Sequence, residues 1–217
     1  MIMNQQELQN LRQDYSASTL SENTTKADPI KQFEQWFNEA LEAKLHEPNA
    51  MTLATATITG KPSARIVLLK GFNKDGFMFF TNYLSRKGKE IAKNPHGALT
   101  FFWPGLERQV RIEGTIEKVS KEESEQYFHS RPKGSQVGAL ASPQSQEIDN
   151  RESLEQKWNE LEAEYADKEV PKPSYWGGYI LKPQLIEFWQ GRPSRMHDRI
   201  LYKKTDKKSW KKVRLAP

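Results

Sequence analysis

From Ile30 the chain repeats apolar residues at helical spacing: Ile30, Phe33, Trp36, Phe37, Ala40 and Leu41. Asp28-Pro29 supplies an N-cap and a proline at the first helical position, so the pattern predicts an amphipathic helix to about Leu45. Its aromatic stripe reads as core rather than as a cofactor site. Ahead of it, residues 1–28 are polar and rich in Ser, Thr, Asn and Gln. Gln6–Tyr15 fits a short helix there, and 16–26 reads as a loose stretch.

From Met51 the period changes to that of strands. Thr52–Ile58, Ala64–Lys70 and Phe77–Thr81 are separated by the turns Thr59-Gly60-Lys61-Pro62 and Asn73-Lys74-Asp75-Gly76. Tight turns between successive strands predict an antiparallel meander, not a βαβ unit. Ser85 caps a short helix through Lys93, stopped by Asn94-Pro95, and the strands Ala98–Trp103 and Arg108–Val119 flank Pro104-Gly105. Ser120 and Glu123 have capping-box spacing, which starts a helix to His129. The stretch 131–146 reads as irregular or weakly helical, and Asn150–Tyr165 as a charged helix with Leu154, Trp158 and Leu161 on one side. Strands over Trp176–Ile180, Gln184–Trp189, Arg195–Tyr202 and Trp210–Arg214 complete the set. About eight mostly antiparallel strands with inserted helices predict the α+β class and a small closed barrel. The expected organisation is a polar N-terminal segment, 1–28, and one domain over 29–217.

Composition narrows the function classes. Only 36% of the 217 residues are apolar, but 10 Phe, 7 Tyr and 6 Trp are enough for a core. With no cysteine there is no disulfide, no thiolate nucleophile and no Cys-based metal site. No apolar run approaches the roughly 20 residues that cross a bilayer. Met1–Glu7 lacks the charged-then-apolar pattern of a signal peptide. These features fit a cytoplasmic protein with no membrane partner. The net charge of +5 suits an anionic ligand, with nucleic acid or simple solubility as the alternatives. The paired lysines at 203–204, 207–208 and 211–212 read as an exposed turn.

Four segments carry candidate chemistry. In the run Trp189 to Arg199, an indole, three arginines and His197 suit a planar, phosphate-bearing ligand; taken alone, the run fits a solvated hairpin equally well. Arg65 and Lys70 bracket an apolar strand. Five residues apart, they fall on opposite faces unless the strand end bends. Ser85-Arg86-Lys87 at a helix start offers a phosphate cradle, and Arg131, Ser135 and the Tyr127 hydroxyl offer a second. Gln109, Gln144 and Ser145 supply groups able to read a heteroaromatic ring edge. There is no P-loop, no dinucleotide fingerprint, no nucleophile elbow and no metal-ligand spacing among the four histidines. A chain this poor in catalytic devices borrows its chemistry from an organic cofactor.

The ordered set Arg65-Ile-Val-Leu-Leu-Lys70, Thr81-Asn82, Ser85-Arg86-Lys87, Glu107-Arg108-Gln109-Val110, Tyr127-Phe-His-Ser-Arg131-Pro, Trp176-Gly-Gly178, Ile186-Glu-Phe-Trp189-Gln-Gly191, His197-Asp-Arg199 and Arg214-Leu-Ala-Pro217 resembles the pyridoxamine 5′-phosphate oxidase family. The likeness runs from about Arg12 to the last residue. It implies an FMN-binding split barrel with peripheral helices, working as a homodimer with its FMN sites at the subunit interface. It also implies oxidation of pyridoxamine 5′-phosphate and pyridoxine 5′-phosphate to pyridoxal 5′-phosphate by O2, with H2O2 formed and ammonia released from the amine. No metal and no nucleic acid are implied.

Carried over position by position, the resemblance implies that FMN meets Arg65, Ile66, Val67, Leu68, Leu69 and Lys70, then Phe80 and Thr81, then Arg86 and Lys87. Gln109, Gln144, Ser145, Trp189 and Arg199 complete that set. The substrate phosphate is expected at Lys70, Tyr127, Arg131 and Ser135. Arg195 and His197 are expected to flank the substrate ring as catalytic residues, with Arg12 and Tyr15 on a segment that folds over it. Two departures stand out. Phe80 occupies a position where the family often has Tyr, and Arg192-Pro193-Ser194 replaces small or acidic residues before Arg195. The competing readings are another flavin, deazaflavin or haem protein on the same barrel, or a basic binder of nucleic acid or of pyridoxal 5′-phosphate without catalysis.

Overall fold

The computed structural model describes residues 4–11, 13–206 and 209–217. Asn4 and Glu7 form a capping box that opens α1 (Gln5–Gln9), shorter than the expected Gln6–Tyr15. The Asp28 carboxylate accepts from Ile30 N at 2.8 Å and opens α2 (Pro29–Glu42). This helix ends before Leu45 because Lys44 turns left-handed, with φ 53°. Leu45 N then donates to Ala40 O, and Lys44 N to Leu41 O, the paired bonds that close a helix C-terminus.

β1 (Ala50–Ala56) and β2 (Pro62–Leu68) form a hairpin that sets Leu53 opposite Arg65. β2 starts two residues earlier than expected and stops at Leu68. Beyond it, Leu69 N bonds to Asn49 O, and Lys70 N bonds to Met78 O. Lys70 thus leaves the alternation of β2. A three-residue strand that the pattern did not predict, β3 (Gly71–Asn73), pairs with β4 (Gly76–Asn82). Their turn is fixed by Asn73 Oδ1, which accepts from Asp75 N at 2.8 Å. Gly76 has φ 153°, and a Cβ there would lie 2.1 Å from Leu181 O, so only glycine fits.

Ser85 caps α3 (Arg86–Lys93) through Gly88 N. β5 (His96–Trp103), a short 3₁₀ turn and β6 (Arg108–Lys118) follow. Ser120 caps α4 (Lys121–Ser130), and Asn150 caps α6 (Arg151–Glu164). Between them lies α5 (Lys133–Ala141), a regular helix where the sequence suggested an irregular or weakly helical stretch. β7 (Trp176–Gln190) is one 15-residue strand, not the two expected. It pairs with β4 over 176–181 and with β8 (Asp198–Lys204) over 185–190. Pro183 sits where the partner changes, so its missing N–H breaks no bond to either strand. β8 begins at Asp198 rather than Arg195 because Pro193–Arg195 form a 3₁₀ turn. β9 (Trp210–Leu215) closes the chain.

Hydrogen bonding orders the strands β2-β1-β5-β6-β7-β4-β3, with β8 on β7 and β9 on β8. The pairs β1–β2, β3–β4, β4–β7, β7–β8 and β8–β9 are antiparallel. The architecture is α+β and mostly antiparallel, as the sequence predicts.

The chain forms two compact units. The first comprises 1–48, 100–112 and 185–217, and the second 49–99 and 113–184. In the first, Phe33 packs on Phe101 at 5.1 Å and Trp36 on Phe188 at 5.2 Å, so the α2 stripe is core. Lys212, expected on an exposed turn, instead donates to Thr25 O, Thr25 Oγ1 and Glu22 O, tying the N-terminal segment to β9. In the second unit, Phe128, Val137, Leu161, Val170 and Trp176 form a buried cluster under α4, α5 and α6.

Candidate active site

The second unit contains a cavity of about 620 Å³, within the usual range for a small-molecule site. Four cations line it, Arg65, Lys70, Lys87 and Arg131, and its lining contains no carboxylate. Arg65 and Lys70 both reach it because β2 ends at Leu68. Ile66, Val67, Leu68, Phe80, Thr81, Tyr127, Ser135 and Gln144 line it too, so it gathers most of the residues expected to bind cofactor or substrate.

Two groupings of cations are held by separate networks. Lys87 Nζ lies 3.3 Å from both Thr81 Oγ1 and Gln144 Oε1. It is buried and, among the described residues, hydrogen-bonded to neutral oxygens only. Burial, together with the Arg65 charge, lowers its pKa. Arg65 donates to Leu53 O at 3.2 Å and Thr55 Oγ1 at 2.6 Å, and also to Ser63 Oγ. Its partner carboxylate, Glu90, also takes Arg86 Nε at 2.9 Å. Burial alone would raise the Glu90 pKa, but hydrogen bonds from Ser63, Thr55 and Arg86 bring it down to about 2.

The other grouping surrounds Arg131. Its Nη2 donates to Ser135 O at 2.7 Å, while its buried Nη1 has no hydrogen-bond partner. Arg131 makes no ion pair among the described residues. Burial lowers its pKa, partly offset by Tyr127. The Phe80 and Tyr127 rings stack at 3.9 Å, so Phe80 packs against the Tyr127 ring that the substrate phosphate is expected to meet.

The remaining expected residues lie elsewhere. Leu69 is buried outside the cavity lining. Arg86 and Ser145 line a second cavity, of about 380 Å³. Arg12 falls outside the described residues.

Gln109, Trp189, Arg195, His197, Arg199 and Tyr15 belong to the first unit. There, Tyr15 meets Trp189 edge-on at 5.8 Å, and His197 lies 4.6 Å from Trp189. His197 Nδ1 accepts from Arg192 N at 3.1 Å. Arg199 grips the buried Glu187 through Nε at 2.8 Å and Nη2 at 3.1 Å, which raises its pKa. Arg195 is exposed. Ser194 and Arg195 have φ of 54° and 60°, consecutive left-handed residues that are not glycine. The unusual residues before Arg195 thus form a strained turn. Sequence reasoning missed Glu90 and Trp176 as site residues; Trp176 was visible as a strand start and in the motif Trp176-Gly-Gly178, with no role assigned.

Fold and cavity together define a mostly antiparallel α+β protein with a small-molecule cavity lined by cations. A family model described as pyridoxamine 5′-phosphate oxidase matches residues 37–165. A second, described as the pyridoxine 5′-phosphate oxidase C-terminal dimerisation region, matches 176–217. The chain belongs to the pyridoxamine 5′-phosphate oxidase family and has its split-barrel fold. A relative from Salinibacter ruber, named pyridoxine/pyridoxamine 5′-phosphate oxidase, is 56% identical over 97% of this chain and 99% of its own length. One of the same name from Cupriavidus pinatubonensis is also 56% identical, over 97% of this chain and 99% of its own length.

Among solved structures, PhzG from Burkholderia lata, in complex with tetrahydrophenazine-1-carboxylic acid, superposes with a TM-score of 0.87 at 30% identity. The match covers 93% of this chain and all of that one. An FMN-binding, pyridoxamine 5′-phosphate oxidase-related protein from Nostoc punctiforme shares the fold, with a TM-score of 0.68 at 18% identity over 85% of this chain and 97% of its own. No helix among the described residues is long and apolar enough to cross a membrane.

Proposed function

We propose that this chain oxidises pyridoxamine 5′-phosphate and pyridoxine 5′-phosphate to pyridoxal 5′-phosphate, with FMN as cofactor and O2 as electron acceptor. The observation that carries this reading is the cavity lined by four cations and no carboxylate. Among the described residues, buried Lys87 has no anionic partner and a buried Arg131 nitrogen has no acceptor, which fits two phosphate monoesters. Arg65, Lys87, Thr81 and Gln144 would hold the FMN side, with Arg86 and Ser145. Lys70, Tyr127, Arg131 and Ser135 would hold the substrate phosphate. That binding is remote from the reacting carbon, so it orients the substrate and raises the rate by positioning.

When bound, FMN would supply the two-electron acceptor, with O2 as the final oxidant. The alcohol substrate then gives aldehyde and H2O2. The amine takes up water as well and gives aldehyde, H2O2 and ammonia. Arg195, permanently charged, would stabilise charge on the pyridine ring. His197 accepts from Arg192 N through Nδ1, which leaves its Nε2–H to donate to the ring oxygen.

The dimerisation region at 176–217 contains Trp189, Arg195, His197 and Arg199. This supports a homodimer as the form in which the site is complete. A cytoplasmic location belongs to the same reading and rests on the absence of cysteine and of apolar spans. The test is anaerobic addition of pyridoxamine 5′-phosphate to FMN-loaded protein. The flavin absorbance should bleach and return in air. Protein that takes up no FMN, or stays coloured, contradicts the proposal.

A further inference from the structure

We propose that Trp176 is a positioning residue for substrate phosphate, acting through Arg131. The proposal rests on the oxidase reading and gives a role to a residue to which the resemblance assigned none. The Arg131 guanidinium carbon sits 4.6 Å from the centroid of the Trp176 ring. A second ring, Phe128, lies 5.6 Å from the same carbon and meets Trp176 edge-on at 5.1 Å. Among the described residues, one hydrogen bond, from Nη2 to Ser135 O, fixes the guanidinium at its edge. No carboxylate pairs with it among the described residues, so the indole face is what holds the charge in place.

This arrangement suits a cation that must stay available. A carboxylate partner would hold Arg131 firmly but compete with the phosphate for it. An aromatic face attracts the cation without occupying its N–H groups, so Nη1 remains free of a protein acceptor. Trp176 itself is well anchored. It opens β7 opposite Asn82, donates its backbone N–H to Pro173 O at 3.0 Å, and is nearly parallel to the Tyr127 ring, 8° apart, at 6.2 Å. The indole therefore fixes one phosphate ligand, Arg131, and aligns with a second, Tyr127.

The test compares Trp176→Leu and Trp176→Phe in the FMN-loaded protein. For Trp176→Leu, KM for pyridoxamine 5′-phosphate should rise about tenfold, with kcat within about twofold of wild type. Inhibition by inorganic phosphate should weaken by the same factor. With pyridoxamine, which lacks the phosphate, kcat/KM should not change. Trp176→Phe keeps an aromatic face and should raise KM only about threefold. If Trp176→Leu does not fold, the Trp176→Phe ratio between the two substrates decides. Equal losses on both substrates would mean a merely structural role, and unchanged KM would mean none; either overturns the proposal. If wild-type protein oxidises neither substrate, the oxidase reading fails, and calorimetric binding of inorganic phosphate to wild type and variants still decides the role of Trp176.

Discussion

Arg65 and Glu90 meet between β2 and α3, Nη2 to Oε2, at 3.4 Å. The same carboxylate takes hydrogen bonds from Thr55, Ser63 and Arg86, so one buried acid orients two arginines expected to meet FMN.

This relationship has a pH signature. The Glu90 pKa is about 2 in the folded chain against an ordinary value of 4.5. A lowered carboxyl pKa contributes stability that is fully present above the ordinary value and is lost as pH falls towards the folded one. Wild type should therefore lose stability between pH 4.5 and about 2. Glu90→Gln should be less stable at pH 7 and converge on wild type in acid. Parallel denaturation profiles for the two proteins would contradict this.

Lys87 is a buried cation with no carboxylate partner among the described residues, a cost to the FMN-free protein. Lys87→Met should raise the melting temperature of that form and weaken FMN binding by at least about tenfold. Thermal melts and flavin fluorescence quenching check both arms. Loss of stability without loss of affinity would remove Lys87 from the phosphate site.

Arg131→Ala should raise KM for pyridoxamine 5′-phosphate, since each lost charge-assisted hydrogen bond is worth about 1.5–3 kcal/mol. That corresponds to roughly 10- to 150-fold. Steady-state kinetics read it directly; an unaltered KM would exclude Arg131 from the phosphate site.

Arg195 is exposed on its left-handed turn, φ 60°. Arg195→Leu should lower turnover far more than FMN content. Normal activity with FMN lost would make it a cofactor ligand instead.

Much of the fold is legible because its signals are local. Asp28, Ser85, Ser120 and Asn150 each bond to a backbone N–H two or three residues away, and each marks a true helix start. What the sequence hid depends on distant partners. β3 exists through its register with β4. Pro183 looks like a break, yet it lies where β7 exchanges β4 for β8. α5 has no side-chain cap, so nothing local announces it. The site divides the same way. Arg65, Lys70, Lys87 and Arg131 stand in short motifs with visible chemistry. Glu90 stands inside a predicted helix and Trp176 at a predicted strand start, neither with an assigned role, until β2 and α4 bring the arginines to them.

The central claim is best tested by adding pyridoxamine 5′-phosphate to the FMN-loaded protein in air and measuring every product. The account predicts pyridoxal 5′-phosphate, H2O2 and ammonia in equal amounts. Flavin-loaded protein that releases neither aldehyde nor peroxide would contradict it.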